Sequence, residues 1–149
     1  MKKFAIASMI ALAATAASAL EVGVTATRDY AKTNRNTAGI TVGQKVGALG
    51  VTVGAERTTV GANDQNRYTV VAGYDLVKLG TVTVTPKVGG AYVANQTGAD
   101  GYALVAGVGA SYPLTKTIAA TVDYARQIGQ DRIESANGNR FTAGVKYNF

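Results

Sequence analysis

The sequence predicts an all-β protein, an eight-stranded antiparallel up-and-down transmembrane β-barrel. From residue 20 onward, apolar and polar residues alternate with a period of two in eight runs of about ten residues, and no stretch shows helical periodicity. The connections between the runs alternate between short and long, as expected for antiparallel strands that follow one another around a barrel. The aromatic residues fall on one face of the runs. Together these observations predict a closed barrel whose apolar face points outward.

The predicted strands are residues 20–30, 37–46, 49–59, 67–76, 81–93, 101–112, 117–128 and 140–149. Short connections are predicted at 47–48, 77–80 and 113–116, and longer polar ones at 31–36, 60–66, 94–100 and 129–139. Pro86 falls inside the fifth run, where it cannot donate a hydrogen bond to a neighbouring strand. We therefore predict a bulge or an early start to pairing near Pro86, which Gly89 and Gly90 would absorb.

The N-terminus has the features of a cleaved signal peptide. Lys2 and Lys3 are basic, residues 4–16 are apolar, and residues 17–19 form an A-x-A cleavage motif. The apolar run is shorter than the roughly 20 residues that a membrane-spanning helix needs. The sequence thus predicts a bacterial signal peptide at 1–19 and an outer-membrane barrel domain at 20–149.

Composition excludes several classes of function. The 149 residues include no Cys and no His, which removes disulfide scaffolds, thiol nucleophiles, Ser-His triads and His-ligated metal sites. The formal net charge is +6, but the basic residues are dispersed rather than clustered, which argues against a nucleic-acid partner. We expect neither an enzyme nor a cofactor or metal.

The alternation of residues assigns the two faces of each predicted strand. All eight Tyr and both Phe of residues 20–149 share the apolar face, and most strand glycines lie on the other face with Thr and charged residues. The aromatics form two predicted girdles: Tyr30, Tyr68, Tyr92, Tyr102, Tyr124 and Phe141 towards the long connections, and Tyr74, Tyr112, Tyr147 and Phe149 towards the short ones. A soluble barrel would need an apolar interior, so this pattern favours a barrel that spans a membrane.

The predicted lumen contains as many acids as bases. By alternation it holds Glu21, Asp29, Glu56, Asp75 and Asp123 together with Lys45, Arg67, Lys87, Arg140 and Lys146. Eight strands leave an interior that is only wide enough for side chains to fill, and buried charges there must be paired. We predict a lumen closed by paired charges, with a small porin-like diffusion channel as the weaker alternative.

The C-terminus carries the most specific likeness to known proteins. Val145, Tyr147 and Phe149 alternate on the apolar face and end on an aromatic residue. With this ending and its eight strands, the chain resembles the small outer-membrane barrels of Gram-negative bacteria, the outer-membrane-protein-A/X and opacity-like group. The resemblance implies that these three residues form the terminal signal read by the barrel-assembly machinery. A periplasmic domain after the barrel, as in larger members, is not expected here.

Two function classes fit this sequence. The first is a structural barrel that supports outer-membrane integrity. The second is a surface binder or adhesin that contacts an extracellular ligand through its loops, with candidate contacts at Asp131, Arg132, Ile133 and Glu134 in the longest connection. Three outward arginines near the long connections, Arg28, Arg57 and Arg126, are candidate contacts for lipopolysaccharide phosphates, the alternative being that they only reach into the headgroup zone.

Overall fold

The computed structural model describes residues 19–30, 34–60, 63–95, 100–129 and 137–149. Its strands are β1 (Leu20–Tyr30), β2 (Asn34–Val46), β3 (Leu49–Val60), β4 (Asn63–Tyr74), β5 (Val77–Leu79), β6 (Val82–Asn95), β7 (Gly101–Pro113), β8 (Ile118–Gly129) and β9 (Gly138–Asn148). No helix among these residues is long and apolar enough to cross a membrane.

The strands close into one antiparallel barrel, so the predicted fold class is confirmed. Consecutive strands pair, β4 pairs with β6, and β1 pairs with β9 to join the two ends of the barrel. The short β5 extends β4 after an interruption, so nine segments make eight barrel strands.

The register fixes how steeply the strands tilt. Starting at Leu20 and stepping from each residue to its cross-strand partner, the path returns to β1 at Tyr30 after one circuit. It passes through Gln44, Val51, Ala72, Val88, Ala106, Arg126 and Asn139. An offset of this kind is the stagger of a closed barrel, in which strands tilt by roughly 35–45° from the axis. Each pairing therefore climbs towards the long-connection end by slightly more than one residue.

Several strands are longer than the sequence predicted, mostly at the long-connection end. β2 begins at Asn34 and β4 at Asn63, so parts of the predicted connections 31–36 and 60–66 belong to the sheet. Arg35, for example, lies in β2 and its Nη1 donates to Gln65 Oε1 at 3.4 Å. The residues at these strand ends are mostly polar, so hydrophobic alternation does not predict them as strand. Backbone hydrogen bonds between strands do not depend on side-chain polarity, and the pairing continues through them.

The bulge predicted at Pro86 lies in the opposite strand. The β4–β6 ladder stops at Gly73↔Lys87 and resumes between β5 and β6 at Val77↔Val84, with one extra residue on the β4–β5 side. Pro86 has no N–H to donate, which accounts for the break opposite it. Pairing with β7 continues through Pro86 without a shift, so Gly89 and Gly90 do not absorb a bulge.

Two of the short connections are tight hairpins that begin on glycine. Gly47 and Gly80 adopt φ values of +63° and +64°, a region that side-chain-bearing residues rarely occupy. Both glycines take the first position of a two-residue loop, where primed turns need positive φ. The second of these loops is 80–81 rather than the predicted 77–80, because residues 77–79 form β5.

The barrel is apolar outside and polar inside. Its exposed large hydrophobic residues include both predicted aromatic girdles except Tyr92, which is half-buried, and a Val/Leu/Ile belt between them. The buried apolar core is small: Ala91, Val93, Ala103 and Val105 pack together inside the lumen on the β6–β7 side.

Candidate functional site

All ten charged residues assigned to the lumen point inward and take part in ion pairs among themselves. Their positions along the strands sort them into three tiers. The outer tier, at the long-connection end, is Asp29, Glu56, Arg67 and Arg140. The middle tier is Lys87 and Asp123. The inner tier, at the short-connection end, is Glu21, Lys45, Asp75 and Lys146. Each tier contains equal numbers of acids and bases.

The outer tier is a square of alternating charges. Arg67 Nη1 lies 3.2 Å from Asp29 Oδ2 and 3.7 Å from Glu56 Oε2. Arg140 bridges the same two carboxylates through its Nε and Nη2. The Thr27 hydroxyl donates to Glu56 at 3.2 Å and shares a hydrogen bond with Thr142. Four strands thus contribute one charge each to a network in which every charge contacts two opposite ones.

The middle tier is a single pair that depends on a neighbouring glycine. Lys87 Nζ on β6 donates to Asp123 Oδ1 on β8, over the inner face of the intervening strand β7. A Cβ on Gly109 would overlap Asp123 Oδ1 and lie 2.8 Å from Lys87 Nζ. The absence of a side chain at residue 109 therefore creates the space in which the two long side chains meet.

The inner tier is a chain of charges rather than a square. Glu21 Oε1 lies 3.0 Å from Lys146 Nζ and 3.8 Å from Lys45 Nζ. Lys45 Nζ also donates to Asp75 Oδ2 at 2.8 Å, and the Thr85 hydroxyl donates to Asp75 Oδ1 at 2.6 Å.

The two ends of the lumen differ in how tightly they are packed. Ion-paired side chains of the outer tier are 4–10% exposed, whereas those of the middle and inner tiers are 15–33% exposed. A cavity of about 190 Å³ runs beside the inner and middle tiers and reaches Glu56 and Arg140 of the outer tier, with Thr41, Thr69 and Ser111 among its lining residues. Above the outer tier, Gln65 receives a hydrogen bond from Arg35 and donates one to Asn95 at 2.7 Å. The lumen is thus closed most firmly at its outer end.

Gln127 is a lumen residue that the sequence argument did not single out. It is 2% exposed, and neither its Oε1 nor its Nε2 has a hydrogen-bond partner within the described part of the chain. It is the cross-strand neighbour of Val105, at the edge of the apolar cluster. Alternation along β8 puts Gln127 on the same inward face as Asp123. It carries no charge, and the lumen prediction considered charged residues alone.

The structure places the three rim arginines outward and at one height. Arg28 lies eight residues above Leu20 on β1, Arg57 lies six residues above Val51, and Arg126 lies on the pairing path itself. Each step along this cross-strand path rises by slightly more than one residue. When that rise is added, the positions of the three arginines along the barrel axis agree to within about one residue. All three are exposed, and the Arg28 guanidinium carbon lies 5.6 Å from the centre of the Tyr30 ring.

The C-terminal candidates also point outward. Val145, Tyr147 and Phe149 are exposed, and the Tyr147 and Phe149 rings meet edge to face with centroids 4.7 Å apart. The Phe149 backbone N–H donates to Leu20 O at 3.0 Å, so the last residue is held against the first strand.

Two sets of predictions lie outside the described residues. These are the loop candidates Asp131, Arg132, Ile133 and Glu134, and the signal peptide up to residue 18. For metals, the residues that the structure does describe include no cluster of three or more acidic, His or Cys side chains placed to hold an ion.

Comparison with solved structures supports the fold alone. No family model matches the chain, and no curated protein matches it in sequence. Neisserial surface protein A is 14% identical with a TM-score of 0.60, over 90% of this chain and 98% of that one. The attachment invasion locus protein Ail of Yersinia pestis is 15% identical with a TM-score of 0.59, over 89% and 97%. Escherichia coli outer membrane protein W is 13% identical with a TM-score of 0.63, over 91% and 100%. The chain therefore shares the eight-stranded barrel of small outer-membrane proteins.

Proposed function

We propose that this protein is an integral outer-membrane barrel with a structural role in membrane integrity and a lumen that does not conduct. The observation that carries the proposal is the outer charge square, in which Arg67 and Arg140 are both buried against Asp29 and Glu56. A conducting pore would need a water-filled path through this level, and open pores are usually lined by charges of one sign.

The outer surface supports a position in the bilayer. Two aromatic girdles flank a belt of exposed Val, Leu and Ile, the surface that a barrel presents to lipid. Closure of the barrel leaves no sheet edge that would need hydrogen bonds from water. The signal peptide at 1–19 would direct the chain across the inner membrane.

The proposal is tested by single-channel recording on refolded protein and by complementation. We expect no stable conductance, and we expect a gene-deletion strain to regain detergent resistance when the wild-type protein is supplied. Stable, ion-selective nanosiemens conductance would overturn the closed lumen. Unchanged detergent resistance in the deletion strain would overturn the integrity role.

We further propose that the arginine arc, defined as Arg28, Arg57 and Arg126, binds lipopolysaccharide phosphates. Its members lie at one height on β8, β1 and β3, and a guanidinium group matches the oxygens of a phosphate. Replacing all three with Gln should reduce co-purified lipopolysaccharide, whereas Gln at the exposed Lys78 and Lys116 of the opposite end should not. Equal lipid in both variants would mean that the arginines only extend into the headgroup zone.

The C-terminal residues Val145, Tyr147 and Phe149 are proposed as the contact with the barrel-assembly machinery. Their alternate spacing and outward position support this role. Replacing Phe149 with Ala should lower the folded fraction in cells but leave refolding in detergent unchanged. A loss of refolding in detergent would instead show that Phe149 serves barrel stability.

The alternative, a surface binder, has less support. The strands extend into the predicted long connections, which leaves shorter loops than the sequence indicated. Deleting residues 131–137 and measuring host-cell or matrix adhesion would decide the matter. Loss of adhesion, with the barrel still folded, would favour the surface-binder function over the structural one.

A further inference from the structure

The lumen cavity has an uncharged wall on the side formed by β4, β7 and β8. Val71, Val105 and Ala125 line it there, and these three residues belong to the small apolar core or pack against it. Gln127 also lines the cavity, and it is the cross-strand partner of Val105. Among the described residues around the cavity, Gln127 is the one amide side chain. A single amide therefore stands beside an apolar surface.

Two of the residues that line the cavity have buried polar atoms without a hydrogen-bond partner in the described part of the chain. They are Thr25, through its Oγ1, and Gln127, through both Oε1 and Nε2. Gln127 is only 2% exposed, so solvent outside the barrel does not compensate its amide. Burying such an amide is costly unless a partner supplies both a donor and an acceptor. Gln127 thus points to a polar group inside the cavity.

The size and charge balance of the cavity restrict the molecule to which that polar group belongs. The cavity volume is about 190 Å³, and an apolar cavity of about 150 Å³ admits benzene, so a molecule of roughly seven to nine non-hydrogen atoms fits. The lumen charges already pair with one another. A charged molecule would bring a charge without an opposite partner into this lumen, which is unfavourable. The cavity therefore suits a small neutral molecule.

We propose that this part of the cavity, the amide pocket formed by Val71, Val105, Ala125 and Gln127, binds a small neutral carboxamide. Two carboxamides pair through two parallel hydrogen bonds: Gln127 Nε2 donates to the ligand carbonyl, and the ligand N–H donates to Gln127 Oε1. The apolar body of the ligand packs against the two valines and Ala125, which removes its surface from water. One orienting polar group on a mainly apolar wall is the usual composition of a small-molecule site.

The amide pocket is reached from the short-connection end of the barrel. The buried outer tier closes the other end, whereas the side chains of the inner tier are only partly buried. The proposed function places the short connections in the periplasm, so the ligand is a periplasmic solute. This direction of access rests on the proposed function, but binding itself does not.

The test is a titration of the barrel, residues 20–149 in phospholipid nanodiscs, with benzamide as the probe. Valine methyl NMR should show saturable shifts at Val71 and Val105, which line the pocket, and none at Val24, which is exposed on the lipid face. Acetophenone is the matched probe, since it has the shape of benzamide with a methyl group in place of the NH2. It should bind roughly tenfold more weakly, because Gln127 Oε1 then receives no hydrogen bond.

Variants of the pocket assign the recognition to single residues. Gln127→Met should weaken benzamide binding roughly tenfold and leave acetophenone binding unchanged or stronger. Ala125→Leu should abolish the binding of both probes, because the larger side chain fills the pocket. The matched control is Gln65→Met, which removes a buried glutamine that donates to Asn95 and lies outside the lining of the cavity. It should leave the binding of both probes unchanged.

Three results would overturn the proposal. They are shifts at Val71 and Val105 that do not saturate, equal weakening of benzamide binding by Gln127→Met and Gln65→Met, and equal weakening of both probes by Gln127→Met. Heat-modifiable gel migration of each variant confirms that the barrel is folded. Conductance is recorded on the same wild-type preparation: a conducting barrel that binds benzamide contradicts the closed lumen alone, and a closed barrel that does not bind it contradicts the amide pocket alone.

Discussion

Buried polar atoms of the lumen are satisfied mainly by one another. Thr27, Arg67 and Arg140 donate hydrogen bonds to the two carboxylates of the outer tier, which compensates most of the desolvation of these groups. Among the described residues, Thr25 Oγ1, Arg67 Nε and both amide atoms of Gln127 depart from this rule, and Gln127 is the residue that leaves two polar atoms without a partner. An unsatisfied buried amide destabilises a fold, which gives this residue a measurable consequence.

We expect Gln127→Met to stabilise the protein. The change keeps the length of the side chain and removes two unpaired polar atoms, a gain of about 1–3 kcal/mol in the free energy of unfolding. Urea unfolding in lipid vesicles would measure it. The control, Thr142→Val, breaks the bond to Thr27 and should destabilise the barrel. A destabilised Gln127→Met variant would mean that the amide holds a buried water or ligand.

Gly109→Ala should destabilise the barrel by about 1 kcal/mol, because the new methyl group would displace the ends of the Lys87 and Asp123 side chains and weaken their partly exposed ion pair. Equilibrium unfolding is again the measurement. Gly90→Ala is a matched control, since its Cβ would meet only Ala103 O, at 3.8 Å. If both variants lost the same stability, strand propensity rather than crowding in the lumen would be responsible.

At the scale of strands, alternation predicted the faces far better than the ends. Alternation assigns each charged residue to one side of its strand because a period of two leaves only two faces, and one of them is apolar. The partners within each tier could not be predicted, because side chains from different walls meet across the lumen and that geometry depends on the stagger. The strand ends and the extra residue opposite Pro86 are set by backbone hydrogen bonds between strands. The pattern of hydrophobic residues therefore could not predict them.

The hairpins make a separate prediction about strand connections. Gly80→Ala should destabilise the protein by about 1 kcal/mol, since alanine in the left-handed region is strained. Gly80→Asn should cost less, because Asn tolerates that region. Unfolding measurements on the two variants test this. Equal stability of both variants would show that the β5–β6 hairpin is not anchored by its turn.

Across the whole molecule, closure of the lumen is concentrated at one end. Arg140→Met leaves the Asp29 and Glu56 carboxylates with only the buried Arg67 guanidinium as a partner. We expect the free energy of unfolding to fall by about 3–5 kcal/mol. Lys146→Met should cost clearly less, because Glu21 retains Lys45 and the inner tier is more exposed. Urea unfolding of both variants is the check. Equal losses would contradict the distinction between the tiers.

The same asymmetry predicts access to the lumen from one side. Because the chain has no cysteine, single replacements can be labelled without background. Ser111→Cys, which lines the cavity, should react with a polar thiol reagent from the periplasmic side and not in intact cells. Thr58→Cys, buried at the outer end, should react from neither side. Rapid labelling of Ser111→Cys in intact cells would show that the outer tier opens.

The seam between β1 and β9 links this charge network to the rate of folding. Asp29 with Arg140, Glu21 with Lys146, and Thr27 with Thr142 all join residues more than one hundred positions apart. Contacts of such high sequence separation form late, because the loop entropy must be lost before they are gained. The polar contacts between β1 and β9 therefore stabilise the closed barrel but contribute little to the folding transition state. Weakening them should speed unfolding far more than it slows folding.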